Sequence, residues 1–233
     1  YHHKKNFLAK SIISNDSIYK LFISSLKFDL TSKQKSSYFE IMNDLKQSSP
    51  MNRLLQGDVG CGKTIVATLT ALQTIKNGFQ VAFMAPTEIL AEQHYLNLKE
   101  WLEPLKISVA FLSGSVSSNE KENIKKHIMQ GDIDLLIGTH ALIQDNVKFK
   151  CLALYIIDEQ HRFGVEQRLS MRVKNTIDSQ YQAHQLMMSA TPIPRTLSMS
   201  YFADMDISTI DELPPGRQKI KTKLIADSRR EEF

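Results

Sequence analysis

From residue 52 onward the chain alternates two kinds of segment: short apolar runs rich in β-branched and aromatic residues, and longer stretches whose apolar positions recur at helical spacing. The short runs fall at 53–56, 81–85, 109–112, 135–137, 154–158 and 185–189. They are apolar at successive positions, as strands are when helices cover a sheet from both sides. The longer stretches predict helices over 63–76, 88–101, 119–129 and 194–202, most of them opened by Gly, Pro, Ser or Thr. Strand and helix in alternation predict an α/β fold, doubly wound around a parallel sheet with helices on both faces.

The flanks read differently. Residues 1–27 are rich in Lys, Ser and Ile, with Ile18, Leu21, Phe22 and Leu26 at helical spacing, which predicts one amphipathic helix as a lead-in or linker to the sheet. After Leu213 the run Pro214-Pro215-Gly216-Arg217 punctuates the chain, and 219–225 reads as one more strand or a connector. The expected organisation is therefore a lead-in over 1–27, a main domain over 28–217 and a connector over 218–233.

Composition changes this picture little. With 233 residues, 42% hydrophobic and 23% charged, the chain is long enough to bury a substantial core. Its longest apolar runs fall far short of the roughly 20 residues a membrane span requires, so no membrane partner is expected. Cys61 and Cys151 lie far apart, with no His or Cys near either at metal-ligand spacing, which suits a reducing cytoplasm. A net charge of +4 fits a polyanionic partner but selects none. The start, Tyr1-His2-His3-Lys4-Lys5, has neither an initiator Met nor a secretory signal, and reads as a cut from a longer polypeptide.

The segment Gly57-Asp58-Val59-Gly60-Cys61-Gly62-Lys63-Thr64 fits the phosphate-loop pattern, with an apolar strand before it and a helix after it as the chemistry requires. Glycines let the backbone curl so that successive N–H groups face phosphate oxygens at the positive end of the helix. Lys63 would reach the β and γ phosphates of ATP, and the Thr64 hydroxyl would hold Mg2+. Cys61 occupies a variable loop position and is given no catalytic role. About ninety residues on, the strand Leu154-Tyr155-Ile156-Ile157 ends in Asp158-Glu159. Ligands of such sheets bind beyond the carboxyl ends of the strands, which puts both acids beside the loop. Asp158 would hold Mg2+ and Glu159 would orient or activate the attacking water.

Further segments carry a resemblance. Asp158-Glu159-Gln160-His161 resembles the metal-and-water motif of superfamily 2 helicases, and Ser189-Ala190-Thr191 their coupling motif. Ala85-Pro86-Thr87-Glu88 and Gly138-Thr139-His140 resemble their two strand-contacting motifs, and Phe28 to Gln34 resembles the adenine-reading segment. The match narrows to the RecG family on the run from Ala85 to Tyr95, on Gly138-Thr139-His140-Ala141-Leu142-Ile143-Gln144, on His161-Arg162-Phe163-Gly164-Val165, on Ser189 to Leu197 and on Ile210 to Arg217. Transcription-repair coupling translocases share the His-Arg-Phe-Gly segment, whereas Gln160 and the Glu-Leu-Pro-Pro-Gly-Arg run look more like RecG.

The resemblance implies a RecA-like lobe of an ATP-dependent DNA helicase acting on replication forks and Holliday junctions in the bacterial cytoplasm. It further implies that Gln34 pairs with the adenine edge and that Gln160 and His161 join the catalytic set. Pro86, Thr87, Gly138, Thr139 and His140 would contact DNA phosphates, while Ser189, Ala190 and Thr191 would couple the nucleotide state outward. A second lobe with an arginine finger and a wedge domain, both outside this chain, are the implied partners, so that the lobe alone would bind Mg2+·ATP weakly and barely hydrolyse it. Two other classes compete. A phosphate-loop kinase or GTPase leaves Ser189-Ala190-Thr191 unexplained, and a binding-only module has no need of Glu159. His94, His127 and His184 read as surface or core histidines, and Trp101 as core.

Overall fold

The computed structural model describes residues 7–143, 146–159, 181–191 and 205–212. The expected helix over 194–202, Gln160 and His161, and the segments after Leu213 lie outside the described residues.

In chain order the elements are α1 (Asp16–Ser25), α2 (Ser32–Leu45), β1 (Asn52–Gly57), α3 (Lys63–Lys76), β2 (Gln80–Met84), α4 (Glu88–Leu102), β3 (Val109–Leu112), α5 (Ser118–Gln130), β4 (Leu135–Gly138), β5 (Leu152–Ile157), β6 (His184–Ser189) and β7 (Asp206–Ile210), with short 3-10 turns at Glu103–Leu105 and His140–Ile143. The strands form one sheet in the order β3-β4-β2-β5-β6-β1-β7, and every pairing among them is parallel. This is the α/β fold expected, with α3 at its expected bounds.

Side-chain alternation divides the sheet into two cores. Leu55, Phe83, Ile137, Ile156 and Met188 face a core shared with α1 to α4. Leu54, Met84, Leu136, Ile157 and Met187 face the other, which includes Ile128 of α5 and Phe149. The central strands β2, β4, β5 and β6 are buried along their whole length, which is why their sequences carry continuous apolar runs rather than alternating ones. In α3, burial extends to Thr68, Thr70 and Thr74, whose hydroxyls donate to the carbonyls of Thr64, Val66 and Thr70 one turn back at 2.8–2.9 Å. A buried hydroxyl on a helix is tolerable when the preceding turn accepts its proton.

The lead-in is packed into this lobe. Ile12 and Phe22 are fully buried in the core that holds α2 and α3. The Asn77 side chain accepts from Ile13 N and donates to Ile13 O, and the Gln73 side chain accepts from Asn15 N and donates to Asn15 O. Two amides at the end of α3 thus satisfy an extended backbone that would otherwise need water.

Two elements were absent from the sequence reading. One is α2, whose Thr31 and Gln34 form a reciprocal capping box. The other is β7, in which Ser208 is buried while Ile207 is 41% exposed. Arg53 of β1 explains this inversion, donating to Asp44 of α2 at 2.6 Å and to the Ser208 hydroxyl at 2.9 Å, while that hydroxyl bonds Glu40 of α2. A polar inward position is stable at this edge because α2 supplies its partners.

His184 ties the lead-in to the sheet from the far side. Its Nδ1 accepts from Met51 N at 2.9 Å, which fixes the proton on Nε2, and Nε2 donates to Lys10 O at 2.9 Å. Burial lowers its pKa from the ordinary 6.5, so the folded chain holds the neutral ring more firmly than the unfolded chain does. The stability this contributes is complete above pH 6.5 and is lost as pH falls through 6.5 toward the folded-state value. Thermal unfolding midpoints are expected to stay level above that pH and to decline below it. His184→Phe should lower the plateau and flatten the decline; an undiminished decline in that variant would assign the acid sensitivity elsewhere.

Candidate active site

Because every strand runs the same way, the sequence-predicted residues gather along one edge. In sheet order, β4 delivers Gly138-Thr139-His140, β2 delivers Ala85-Pro86-Thr87, β5 delivers Asp158-Glu159, β6 delivers Ser189-Ala190-Thr191 and β1 delivers the loop from Gly57 to Lys63. One strand separates β1 from β5, so the loop and the two acids stand about 10 Å apart at the sheet edge, with the β6 turn between them.

The loop has the backbone it needs. Gly60 and Gly62 take left-handed φ values of 74° and 91°, and Lys63 opens α3 directly after Gly62. The Lys63 ammonium donates to Gly57 O at 2.7 Å and to Asp58 O at 3.0 Å, so the cation is held over the loop. Burial pushes the Cys61 thiol up from its ordinary value, so it stays protonated at neutral pH and is a poor nucleophile.

Gln34 is 2% exposed, and both ends of its amide are used. The oxygen accepts from Thr31 N at 2.9 Å and the nitrogen donates to Cys61 O at 2.8 Å. The capping box of α2 is therefore bonded to the phosphate loop itself. This places Gln34 at the loop backbone.

At the β5 end, both oxygens of Asp158 are engaged. Oδ1 accepts from Glu159 N at 3.0 Å, and Oδ2 bonds Nε2 of His94 at 2.7 Å. Glu159 adopts a positive φ of 49°, a conformation costing a residue with a Cβ roughly 1–2 kcal/mol. On β6, the Ser189 and Thr191 hydroxyls bond each other at 3.0 Å, and Thr191 N donates to Ser189 Oγ at 3.2 Å, forming a tight turn between loop and acids. Two strands away, Thr87 is the N-cap of α4 and accepts from Leu90 N. Thr139 is half-buried and His140 exposed at the end of β4.

His94 is what sequence reasoning missed. The sequence reads it only as a surface or core histidine; it lies on the buried stripe Ala91, His94, Leu98, Leu102 of α4, and its Nε2 reaches the carboxylate. The helical register gave its facing; the adjacency of β2 and β5, which brings α4 over Asp158, is a property of topology that spacing does not carry.

A family model described as DEAD/DEAH box helicase matches residues 31–200. The chain belongs to the DEAD/DEAH box helicase family. Within that family it is similar to proteins named ATP-dependent DNA helicase RecG. The Aquifex aeolicus protein is 54% identical over 210 residues, which are 90% of this chain and 26% of the relative. The Escherichia coli protein is 47% identical over 226 residues, 97% of this chain and 32% of the relative. A solved structure of RecG bound to a three-way DNA junction superposes with a TM-score of 0.84 at 45% identity, covering 97% of this chain and 30% of that one. The chain thus spans about a quarter to a third of the length of these relatives. As expected of this helicase fold, the sheet is RecA-like. No helix among the described residues is long and apolar enough to cross a membrane.

The helicase loop offers a direct stability test. A Cβ added at Gly62 would collide with the Gln34 amide and would be held at a strained φ. Gly62→Ala is expected to cost about 1–2 kcal/mol of stability in denaturant unfolding and to abolish binding of a fluorescent ATP analogue. Parental stability and affinity in that variant would show that the loop tolerates another path.

Proposed function

We propose that this chain is the first, ATP-binding lobe of an ATP-dependent helicase or translocase acting on branched DNA, such as forks and four-way junctions, in recombination and repair. The observation that carries the reading is the row of ends on β5, β6 and β1, where a carboxylate pair, a hydroxyl turn and a phosphate loop stand side by side. That row is what phosphoryl transfer from ATP to water needs: a cradle for the phosphates, a carboxylate for the metal, and a base for the nucleophile.

In this reading, loop N–H groups and Lys63 hold the phosphates, with Gly57, Asp58, Val59, Gly60, Cys61 and Gly62 forming the cradle. Gln34, bonded to that loop, adds the adenine contact through its remaining amide proton after a small adjustment. The oxygens of Thr64 and Asp158 are the hard donors Mg2+ prefers, few enough to leave its other positions to phosphate and water. Bound there, the metal would neutralise charge on the β and γ phosphates. Glu159, set apart from Asp158 by its backbone turn, orients and deprotonates the water, with Gln160 and His161 completing the set. Ser189, Ala190 and Thr191 lie between the two groups and relay the γ-phosphate state.

Pro86, Thr87, Gly138, Thr139 and His140 form the strand-contacting part of the same edge. Thr87, Gly138, Thr139 and His140 offer backbone N–H groups and side-chain donors suited to phosphates, and Pro86, which has no N–H, would make van der Waals contact beside them; such contacts position a strand without reading its bases. The second lobe and the wedge would be supplied by further parts of the same polypeptide, consistent with the fraction of each relative that this chain spans. An arginine from the second lobe accelerates related phosphoryl transfers by about 10³–10⁵-fold. Access to chromosomal DNA places the protein in the bacterial cytoplasm.

The test is calorimetric binding of ATP with Mg2+ alongside ATP turnover, with and without a synthetic fork. The chain is expected to bind weakly and turn over almost nothing, and Lys63→Ala to abolish binding. Glu159→Gln should keep binding. Rapid fork-stimulated turnover by this chain would overturn the assignment of an essential group to a second lobe, and binding that survives Lys63→Ala would overturn the phosphate-loop reading.

A further inference from the structure

The side chain of His94 enters none of the roles above, yet it bonds directly to the carboxylate of Asp158. Its Nε2 lies 2.7 Å from Asp158 Oδ2, with the two side chains only 11% and 14% exposed. The imidazole packs against Phe83 of β2 at a centroid distance of 4.7 Å with the rings tilted by 48°, a contact that restricts the ring. Its other nitrogen, Nδ1, is sealed from solvent and has no hydrogen-bond partner among the described residues.

These facts determine which way the bond runs. A proton on Nδ1 would bury a donor with no acceptor, which is costly, whereas a bare Nδ1 lone pair is the milder loss. The ring therefore carries its proton on Nε2 and donates it to Asp158 Oδ2. With Glu159 N donating to Oδ1, each carboxylate oxygen receives one hydrogen bond and has lone-pair capacity left for a metal. A carboxylate clamped at both oxygens has little rotational freedom left, and that preorganisation is what a partner behind a metal ligand supplies.

We propose that His94 is a positioning residue for the metal carboxylate. It donates from Nε2 to hold Asp158 in the rotamer that binds Mg2+·ATP, and it links that carboxylate to α4, whose N-cap Thr87 belongs to the proposed strand-contacting segment. Seven residues, about 10 Å along the helix, separate His94 from the N-cap Thr87. The metal side and the strand side of the edge are thereby joined through one rigid element, independently of the Ser189-Thr191 turn. A purely packing role is a poor account of the same geometry, because an apolar side chain would fill the site without leaving a nitrogen unpaired.

This inference rests on the assignment of Asp158 to the metal, and the two can be tested apart. The readout is binding of a fluorescent ATP analogue to the full chain, titrated with Mg2+ and repeated in chelator, for the parent, His94→Leu, His94→Gln and Asp158→Ala. In His94→Leu the Mg2+ concentration giving half-maximal tightening is expected to rise about 10- to 100-fold, with the affinity in chelator unchanged. His94→Gln, whose Nε2 donor stands about where the imidazole Nε2 does, should return it near the parental value. That rescue, with matching circular dichroism, separates positioning from folding. Equal Mg2+ dependence in the parent and His94→Leu would overturn the role of His94, as would a failure of His94→Gln to rescue. A parent whose Mg2+ dependence survives Asp158→Ala would instead overturn the metal assignment on which the inference stands.

Discussion

Everything at the active edge depends on the strands being parallel. A parallel sheet needs crossovers, the crossovers cover both faces, and coverage removes polar side chains from the strand interiors. Chemistry is left to the strand ends. Since all of them point the same way, groups from β4, β2, β5, β6 and β1 fall in one line although they are scattered from Gly57 to Thr191 in the chain. Placing β6 between β1 and β5 has a particular effect: the Ser189-Thr191 turn lies where any change in spacing between loop and carboxylates must be felt.

What could be read in advance followed from this same constraint. Buried strands need continuous apolar runs, so β2, β4, β5 and β6 announced themselves, and α3 was bounded by Gly62 before it and the polar Asn77-Gly78 after it. The loop was legible because its chemistry is local, carried by glycines and a lysine at fixed spacing. The elements that escaped are those whose logic is not local. In β7, Ser208 faces inward only because Arg53 and Glu40 await it from β1 and α2, and nothing near Asp206 in sequence signals that. In α2, a polar first turn disguised a helix whose buried face is spread over Tyr38, Ile41, Met42 and Leu45. His94 read only as a surface or core histidine, and a period of 3.6 cannot say which strand end lies beneath it.

Some of the lobe's local costs fall at this edge, as others do at Lys106, whose φ is 57°. Glu159 holds a backbone conformation disfavoured for its residue type, and His94 buries an unpaired nitrogen. Many other buried polar groups are partnered, among them the threonines of α3, the amides of Gln73 and Asn77 and the ring of His184 with both nitrogens engaged, whereas the buried side-chain amide of Gln185 on β6 has no partner among the described residues. Strain at a site is commonly retained where it orients a group, and Glu159 and His94 both stand beside the proposed metal carboxylate.

The bonds made at the edge suit it to act as a device. The phosphate loop is clasped by Gln34, which joins it to α2, and on the proposed reading the metal carboxylate is clasped by His94, which joins it to α4. Each nucleotide-facing group is thus bonded to a helix whose own first turn lies at the same edge, α2 beside the loop and α4 beside the strand contacts. A packed helix responds to a displaced side chain by moving as a body, since its interior is too dense to absorb the shift. Small adjustments at the phosphates would then reach the strand-contacting turn as rigid shifts of α4, with the hydroxyl turn on β6 as a parallel route. Two routes between the same sites would make their coupling robust to loss of either bond, so weakening one should reduce the response without abolishing it.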